Sequence, residues 1–388
     1  MNNQDKESHQ VDCVSILAGG GGTRLWPAST EQRPKQFMNI GSEKSLLLQT
    51  LERSWLLNPK VGVFVVCNRR YSEDILSEIA LLPPAQASRT HVLPEPHMRN
   101  TAAALFYVNQ LIEQLAGPQA INLIQTSDHL IGPPTVFCRT VGRAAELARS
   151  RRIVVFGLEP DYPATGYGYI ERGPALGTVS DGADEPVDSY EVLRFTEKPD
   201  LETARQFLTE GRFFWNSGMF CYPVGLFREE LSRLTPSIPK ALEPAGRSLD
   251  KQLEFRQQAV LLPPTPELTA AYEGCDNISV DYALMEKTDK LALLCARFEW
   301  NDIGSWDVLA KLEAGPTSGT EENPGTVVTE VGTSEGNFVR SSLPVAICNV
   351  SNLIIVEENG VLLICQKGAS ELVKEARARL QHKLQSEP

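Results

Sequence analysis

Val14-Ser15-Ile16-Leu17 runs without a break into Ala18-Gly19-Gly20-Gly21-Gly22-Thr23-Arg24-Leu25-Trp26-Pro27. A short apolar, β-branched run that empties into glycine reads as a buried strand followed by a loop that a ligand can approach closely. Four consecutive glycines allow positive φ, so their amides can converge on an anion as a backbone nest. The loop is not a Walker A motif, because no Gly-Lys-Ser/Thr closes it. Nor is it Gly-x-Gly-x-x-Gly, because Leu25 stands where the third glycine belongs. Taken alone, the glycines fit a plain tight turn equally well. Arg24, and Lys35 within Pro34-Lys35-Gln36-Phe37, add two cations beside the nest, and that combination suits a polyphosphate.

Outward from this strand, apolar runs at residues 61–66, 121–124 and 153–156 alternate with segments of helical spacing at 45–57, 101–115 and 141–150. The alternation predicts a Rossmann-like α/β fold, a mostly parallel mixed sheet with crossover helices. Such a sheet binds ligands beyond the carboxyl ends of its strands, which draws attention to the loops after Leu17, Ile124 and Val66. From Tyr162 the pattern changes to short strands punctuated by Gly and Pro, with an acidic loop at 180–188. A second break, rich in Gly, Pro, Ser, Thr and Glu, falls at 315–325. Beyond it, residues 327–328, 345–347, 353–356 and 361–364 read as short strands and 370–383 as a charged amphipathic helix. The expected organisation is a polar tail at 1–10, a catalytic domain at 11–314, a linker at 315–326 and a small β-rich C-terminal domain at 327–388. Those last strands could stack as a short left-handed β-helix, supporting the enzyme without supplying chemistry.

The 388 residues carry 37 Lys+Arg against 49 Asp+Glu, a net charge of −12. No global cationic field recruits nucleic acid or an anionic membrane, so an anionic substrate must be met by a local basic site. The first ten residues are polar where a signal peptide would be apolar, and no run approaches the roughly 18 apolar residues of a membrane span. The eight cysteines are too widely spaced for a zinc pattern or a compact disulfide framework, and read as buried thiols of a reducing cytoplasm.

The glycine loop with Pro34-Lys35-Gln36-Phe37 closely resembles the signature of the sugar-1-phosphate nucleotidyltransferases, specifically the bacterial branch that joins GTP to mannose 1-phosphate. The similarity continues in unbroken order through Glu95-Pro96, Arg99-Asn100-Thr101-Ala102, Ser127-Asp128-His129, Thr165-Gly166-Tyr167-Gly168-Tyr169-Ile170, Phe195-Thr196-Glu197-Lys198-Pro199, Trp215-Asn216-Ser217-Gly218, Ser279-Val280-Asp281-Tyr282-Ala283 and Asn301-Asp302-Ile303-Gly304-Ser305-Trp306. It covers nearly the whole chain. Gly21 is often serine in the family and proline is common at Ala103, but neither departure removes a charge. Many relatives carry a further cupin-like isomerase domain, and a chain of 388 residues is expected to lack it.

The resemblance implies transfer of GMP from GTP to α-D-mannose 1-phosphate, giving GDP-mannose and pyrophosphate, in a cytoplasmic homo-oligomer, expected as a dimer. Leu17, Ala18, Gly19, Gly20, Gly21, Gly22, Thr23, Arg24, Lys35, Arg99, Asn100, Thr101 and Asp128 are the implied nucleotide side. Gly166, Tyr167, Glu197, Lys198 and Asn216 are the implied sugar-phosphate side. Arg24, Lys35, Asp128, Lys198 and Asp302 carry the catalysis, with Asp128 and Asp302 as ligands of Mg²⁺. Read as bare residues, each has a plainer alternative: an Asp after a strand is an ordinary helix cap, Glu197-Lys198 a surface ion pair, and Tyr167, Trp215 and Trp306 core rather than pocket wall. The same chemistry on another nucleotide or sugar is the nearer rival, and a catalytically silent relative the more distant one.

Overall fold

The computed structural model describes residues 10–20, 23–179, 187–313, 321–322 and 327–386. Packing divides the chain into two compact units that interleave in sequence: residues 1–19, 48–127 and 131–300, and residues 20–47, 128–130 and 301–388.

The first unit is built on one sheet. Its strands are β1 (Cys13–Ala18), β2 (Gly62–Asn68), β3 (Thr90–Glu95), β4 (Ile121–Thr126), β6 (Ile153–Leu158), β7 (Tyr169–Val179), β8 (Val187–Thr196), β9 (Phe213–Pro223), β10 (Glu254–Arg256), β11 (Ala259–Leu261) and β12 (Leu291–Cys295), with β5 (Leu130–Gly132) outside it. The order is β10-β11-β3-β2-β1-β4-β9-β6-β12-β8-β7. From β11 to β4 every pairing is parallel, as the helix-alternating pattern predicts. Beyond β4 the sheet is mixed, because β9 runs antiparallel to both β4 and β6, and β7 and β8 form a hairpin.

The three expected crossover helices form at Leu46–Leu56, Asn100–Ala116 and Pro134–Arg149. Asn100–Ala116 is buried continuously from Ala102 to Ile112, because it also packs against helices Val224–Leu234 and Ser237–Leu242. The apolar positions of Asn100–Ala116, Val224–Leu234 and Ser237–Leu242 share one core with residues of β1 to β4.

In the second unit, β14 (Glu321–Glu322), β16 (Phe338–Arg340) and β18 (Leu353–Glu358) pair in parallel and β19 (Val361–Gln366) closes that sheet antiparallel; β15 (Val328–Val331) pairs in parallel with β17 (Val345–Cys348). The expected terminal helix forms at Val373–Ser386. One core joins Leu25, Trp26, Met38 and Ile40 to Ile303, Trp306, Phe338, Ile354, Val356 and Val373. All eight cysteines are free; Cys13, Cys67, Cys221, Cys275 and Cys295 are buried as expected, whereas Cys348 is exposed.

Candidate functional site

Within the second unit, two short 3-10 turns carry the expected phosphate cations. Thr23–Leu25 turns Leu25 and the following Trp26 into the core and leaves Arg24 exposed. Lys35–Phe37 follows Pro34, whose extended backbone sets the entry, and buries Lys35. The Lys35 Nζ lies 2.8 Å from Asp128 Oδ2 and also donates to the Asp302 carbonyl oxygen. Burial alone would raise the Asp128 carboxyl, but the charges of Lys35 and His129 and the Lys35 hydrogen bond hold it below the usual carboxylate range.

Asp302 sits in a turn made by its own neighbours. The Ile303 amide donates to Asn301 Oδ1 at 2.7 Å, and the Gly304 amide to Asp302 Oδ1 at 3.2 Å. A Cβ on Gly304 would stand 2.9 Å from Asp302 Oδ2, so a side chain here would push the carboxylate away. Thr23, Arg24, Lys35, Asp128, His129, Asp302, Ile303 and Gly304 line a cavity of about 320 Å³. Its donors suit a hard cation: two carboxylates and no thiol. Among the described residues no group of three or more His, Cys, Asp or Glu could hold a metal ion, so an ion on Asp128 and Asp302 would complete its shell with oxygens of a ligand.

Leu17, Ala18 and Gly19 belong to the first unit, where a Cβ on Gly19 would meet Met98 Cε at 3.0 Å and Glu95 Oε2 at 3.6 Å. Gly20 has open space around its Cα, and Gly21 and Gly22 lie outside the described residues. Glu95 is 4% exposed, and burial pushes its carboxyl up to about 8 against an opposing effect of Tyr272. Its Oε1 has no hydrogen-bond partner among the described residues. Arg99 is committed to the scaffold, donating to the carbonyls of Tyr272 and Glu273 at 2.7 Å each. Asn100 Oδ1 accepts from the Thr101 amide, and Thr101 Oγ1 accepts from the Val280 amide at 2.8 Å. Arg99 and Thr101 fasten the helix start to residues 272–280, while Asn100 bonds within it.

The sugar-side residues gather elsewhere in the first unit, around Gly168. A Cβ there would stand 2.6 Å from Glu197 Oε2 and 3.3 Å from Asn216 Cβ. Lys198 takes a left-handed φ of 48°, its Nζ pairs with Glu197 Oε1, and its amide donates to the Tyr167 carbonyl at 3.2 Å. Asn216 donates from Nδ2 to Asp281 Oδ1 at 3.4 Å, and its Oδ1 accepts from the Gly218 amide. Gly166 has open space where a side chain would project. Tyr167 packs edge-on to Trp215 and Trp300, with centroids 5.2 and 5.4 Å apart.

For Trp306 the plainer of its two sequence readings holds, and Asp281 is an addition to the site. Trp306 is core in the second unit rather than pocket wall, its ring fully buried and its Nε1 donating to the Trp26 carbonyl at 2.8 Å. Asp281, quoted only as part of a motif, joins the Asn216–Glu197 cluster. It opens a π-helix at Asp281–Met285, a form found frequently at functional sites. Burial, then the Glu197 charge, raises its carboxyl to about 6. That π-turn carries no periodicity signal from which sequence could have found it.

Residues 14–318 match the nucleotidyl transferase family model. The mannose-1-phosphate guanylyltransferase of Sinorhizobium fredii is 33% identical over 350 residues, which are 90% of this chain and 60% of that protein, so the chain spans less than two thirds of that relative. The mannose-1-phosphate guanylyltransferase of Klebsiella pneumoniae is 33% identical over 376 residues, 96% of this chain and 74% of that protein. The crystal structure of mannose-1-phosphate geranyltransferase from Thermus thermophilus superimposes with a TM-score of 0.78 at 26% identity, covering 96% of this chain and 100% of that one.

Proposed function

The chain belongs to the nucleotidyl transferase family, and from that premise we propose that it transfers GMP from GTP to α-D-mannose 1-phosphate, giving GDP-mannose and pyrophosphate. The observation that carries this is the cavity where Arg24 and Lys35 share one space with Asp128 and Asp302. The substrates are those of the relatives from Sinorhizobium fredii and Klebsiella pneumoniae. An oxygen of the sugar phosphate attacks the α-phosphorus in line as the bond to the bridging oxygen of pyrophosphate breaks. No protein nucleophile is needed; the protein aligns two polyanions and offsets their charge.

Arg24 and Lys35 bind the triphosphate with the backbone from Leu17 to Thr23. Lys198 takes the sugar phosphate, while Glu197 and Asn216 accept from and donate to the hexose hydroxyls beside Gly166 and Tyr167. Arg99, Asn100 and Thr101 act through the helix terminus they form. Asp128 and Asp302 hold Mg²⁺, which when bound supplies positive charge to the phosphate oxygens. The oxygen-only donor pair supports that assignment, with Lys35 neutralising Asp128 until the nucleotide arrives.

The C-terminal strands fit a short left-handed β-helix, a form supported by the parallel pairing of Val328 with Val345 and of Phe338 with Ile354. A homodimer is supported by Leu362 and Ile364, both 59% exposed on β19. We assign the enzyme to the cytoplasm, where nucleoside triphosphates and sugar phosphates are made. Residues 11–314 are taken as the catalytic region and 327–388 as a C-terminal region joined to it by the linker at 315–326.

The test is pyrophosphate release with GTP and mannose 1-phosphate against a panel of other nucleoside triphosphates and sugar phosphates. A preference for another pair would move the assignment to the same chemistry on other substrates. No release with any pair would favour a silent relative, a rival weakened by the presence of Arg24, Lys35, Asp128, Lys198 and Asp302.

A further inference from the structure

We infer that Trp306, together with Asn359 of the C-terminal segment, sets the position of the Arg24 turn, both acting as positioning residues for the phosphate side of the reaction. This deepens the function proposed above and concerns the second unit alone. Trp306 Nε1 donates to the Trp26 carbonyl at 2.8 Å, inside the core. Asn359, at the turn between β18 and β19, donates from Nδ2 to the next carbonyl, that of Pro27, at 3.0 Å. Arg377 of the terminal helix reaches Glu31 Oε1 at 3.0 Å. Three tethers therefore fall on residues 26–31, the stretch that links Arg24 to Lys35. From beneath, Leu25 and Trp26 rest on Phe338, Ile354, Val356, Leu363 and Val373.

The physical need is plain. A three-residue 3-10 turn has too few internal bonds to hold itself, so its position is set by what backs it. A cation contributes to a transition state only when it is already in place as the charge develops. Trp306 comes two residues after the Asp302–Gly304 turn, so its indole hydrogen bond ties the Arg24 turn to the carboxylate on the other side of the cavity. Asn359 has φ 53° and Gly360 φ 72°, a left-handed turn that glycine also accepts. Asn359→Gly thus keeps the turn and removes only the amide, whereas Trp306→Phe keeps a ring and removes the buried donor.

Both variants are made in the full chain and compared with the wild type by steady-state kinetics and by hydrogen exchange of the peptide covering residues 23–37. For Trp306→Phe the expected loss in kcat is about tenfold, and for Asn359→Gly about threefold, the range of one lost hydrogen bond. The KM for mannose 1-phosphate stays within about twofold, exchange at residues 23–37 rises, and the melting temperature of Asn359→Gly falls by less than about 4 °C. If Trp306→Phe does not fold, Asn359→Gly decides. Unchanged kcat and unchanged exchange in the folded variants, or a fall in melting temperature alone, would overturn the inference. A wild-type protein with no transferase activity would instead defeat the proposed function, and exchange at residues 23–37 would still decide whether Trp306 and Asn359 hold the turn.

Discussion

Lys35 holds both carboxylate-bearing loops of the phosphate cavity at once: its Nζ lies 2.8 Å from Asp128 Oδ2 and also donates to the backbone carbonyl of Asp302. The Lys35 side chain is 8% exposed, so those partners supply the hydrogen bonds that water does not. Asp128→Asn removes the counter-charge and should destabilise the protein by about 2–3 kcal/mol, measured by urea unfolding at neutral pH. The pair stabilises the fold wherever Asp128 is ionised in both states. Because its folded pKa is depressed, that contribution is present above the ordinary carboxyl value of 3.8 and is lost as pH falls through the folded value. A variant with the wild-type midpoint would show that the Asp302 carbonyl alone satisfies Lys35.

Asp302 has a different role, since its carboxylate is held by the Gly304 amide. Asp302→Asn preserves that hydrogen bond and removes the charge, so the fold should persist while turnover drops by about 10²-fold to 10³-fold. The drop should be largest when Mg²⁺ is limiting. Full activity of Asp302→Asn in a magnesium titration would take this residue out of the metal site.

Much of this cavity was legible before the structure, and for a definite reason. Arg24, Lys35 and Asp128 each follow a short strand or a glycine- or proline-marked turn, where local sequence reports loop position well. Asp302 was legible only through the resemblance, because 267 residues separate it from Lys35 and no periodicity spans that distance. The interleaving of 20–47 and 128–130 with 301–388 was not legible at all. Leu25 and Phe338 are ordinary apolar residues in sequence, and only their shared core joins them. Trp306 illustrates the same limit: an aromatic after Gly304-Ser305 reads alike as pocket wall and as core.

Glu95 offers a test in pH. Its folded pKa of about 8 lies above the ordinary 4.5 of a glutamate, so the folded state binds the proton more tightly than the unfolded one. The associated stability is complete below 4.5 and is lost as pH rises through about 8. Glu95→Gln is an uncharged near-isostere of the protonated acid. It should match the wild type at low pH and become the more stable of the two as pH approaches 8, in urea midpoints taken across that range. Parallel curves for the two proteins would mean that Glu95 is ionised in the fold.

Asp281 should report on the sugar side in the same way. Its carboxyl, raised to about 6, accepts from Asn216, and it accepts from a hydroxyl of the hexose more strongly when ionised. The KM for mannose 1-phosphate should therefore fall as pH rises through about 6, and Asp281→Asn should raise that KM and remove the pH step. The KM for GTP serves as the internal control. An identical step in the variant would assign it to another group.

Gly168 supplies a steric test of whether the Glu197–Asn216 cluster is the sugar site. The alanine methyl of Gly168→Ala would stand 2.6 Å from Glu197 Oε2 and 3.2 Å from Phe195 Cζ. Glu197 has little room to yield, because its side chain is 7% exposed and its Oε1 is paired with Lys198. The carboxylate must swing away, and it draws the Lys198 ammonium with it. Relief of such a clash costs about 1–3 kcal/mol of stability, so the protein should still fold. If this cluster grips the hexose and its phosphate, the KM for mannose 1-phosphate should rise by about tenfold while the KM for GTP holds, the pattern of lost ground-state binding on one substrate alone. A rise in the GTP KM with mannose 1-phosphate unaffected would invert the two halves of the assignment, and Lys35→Ala beside Lys198→Ala would show the same inversion independently.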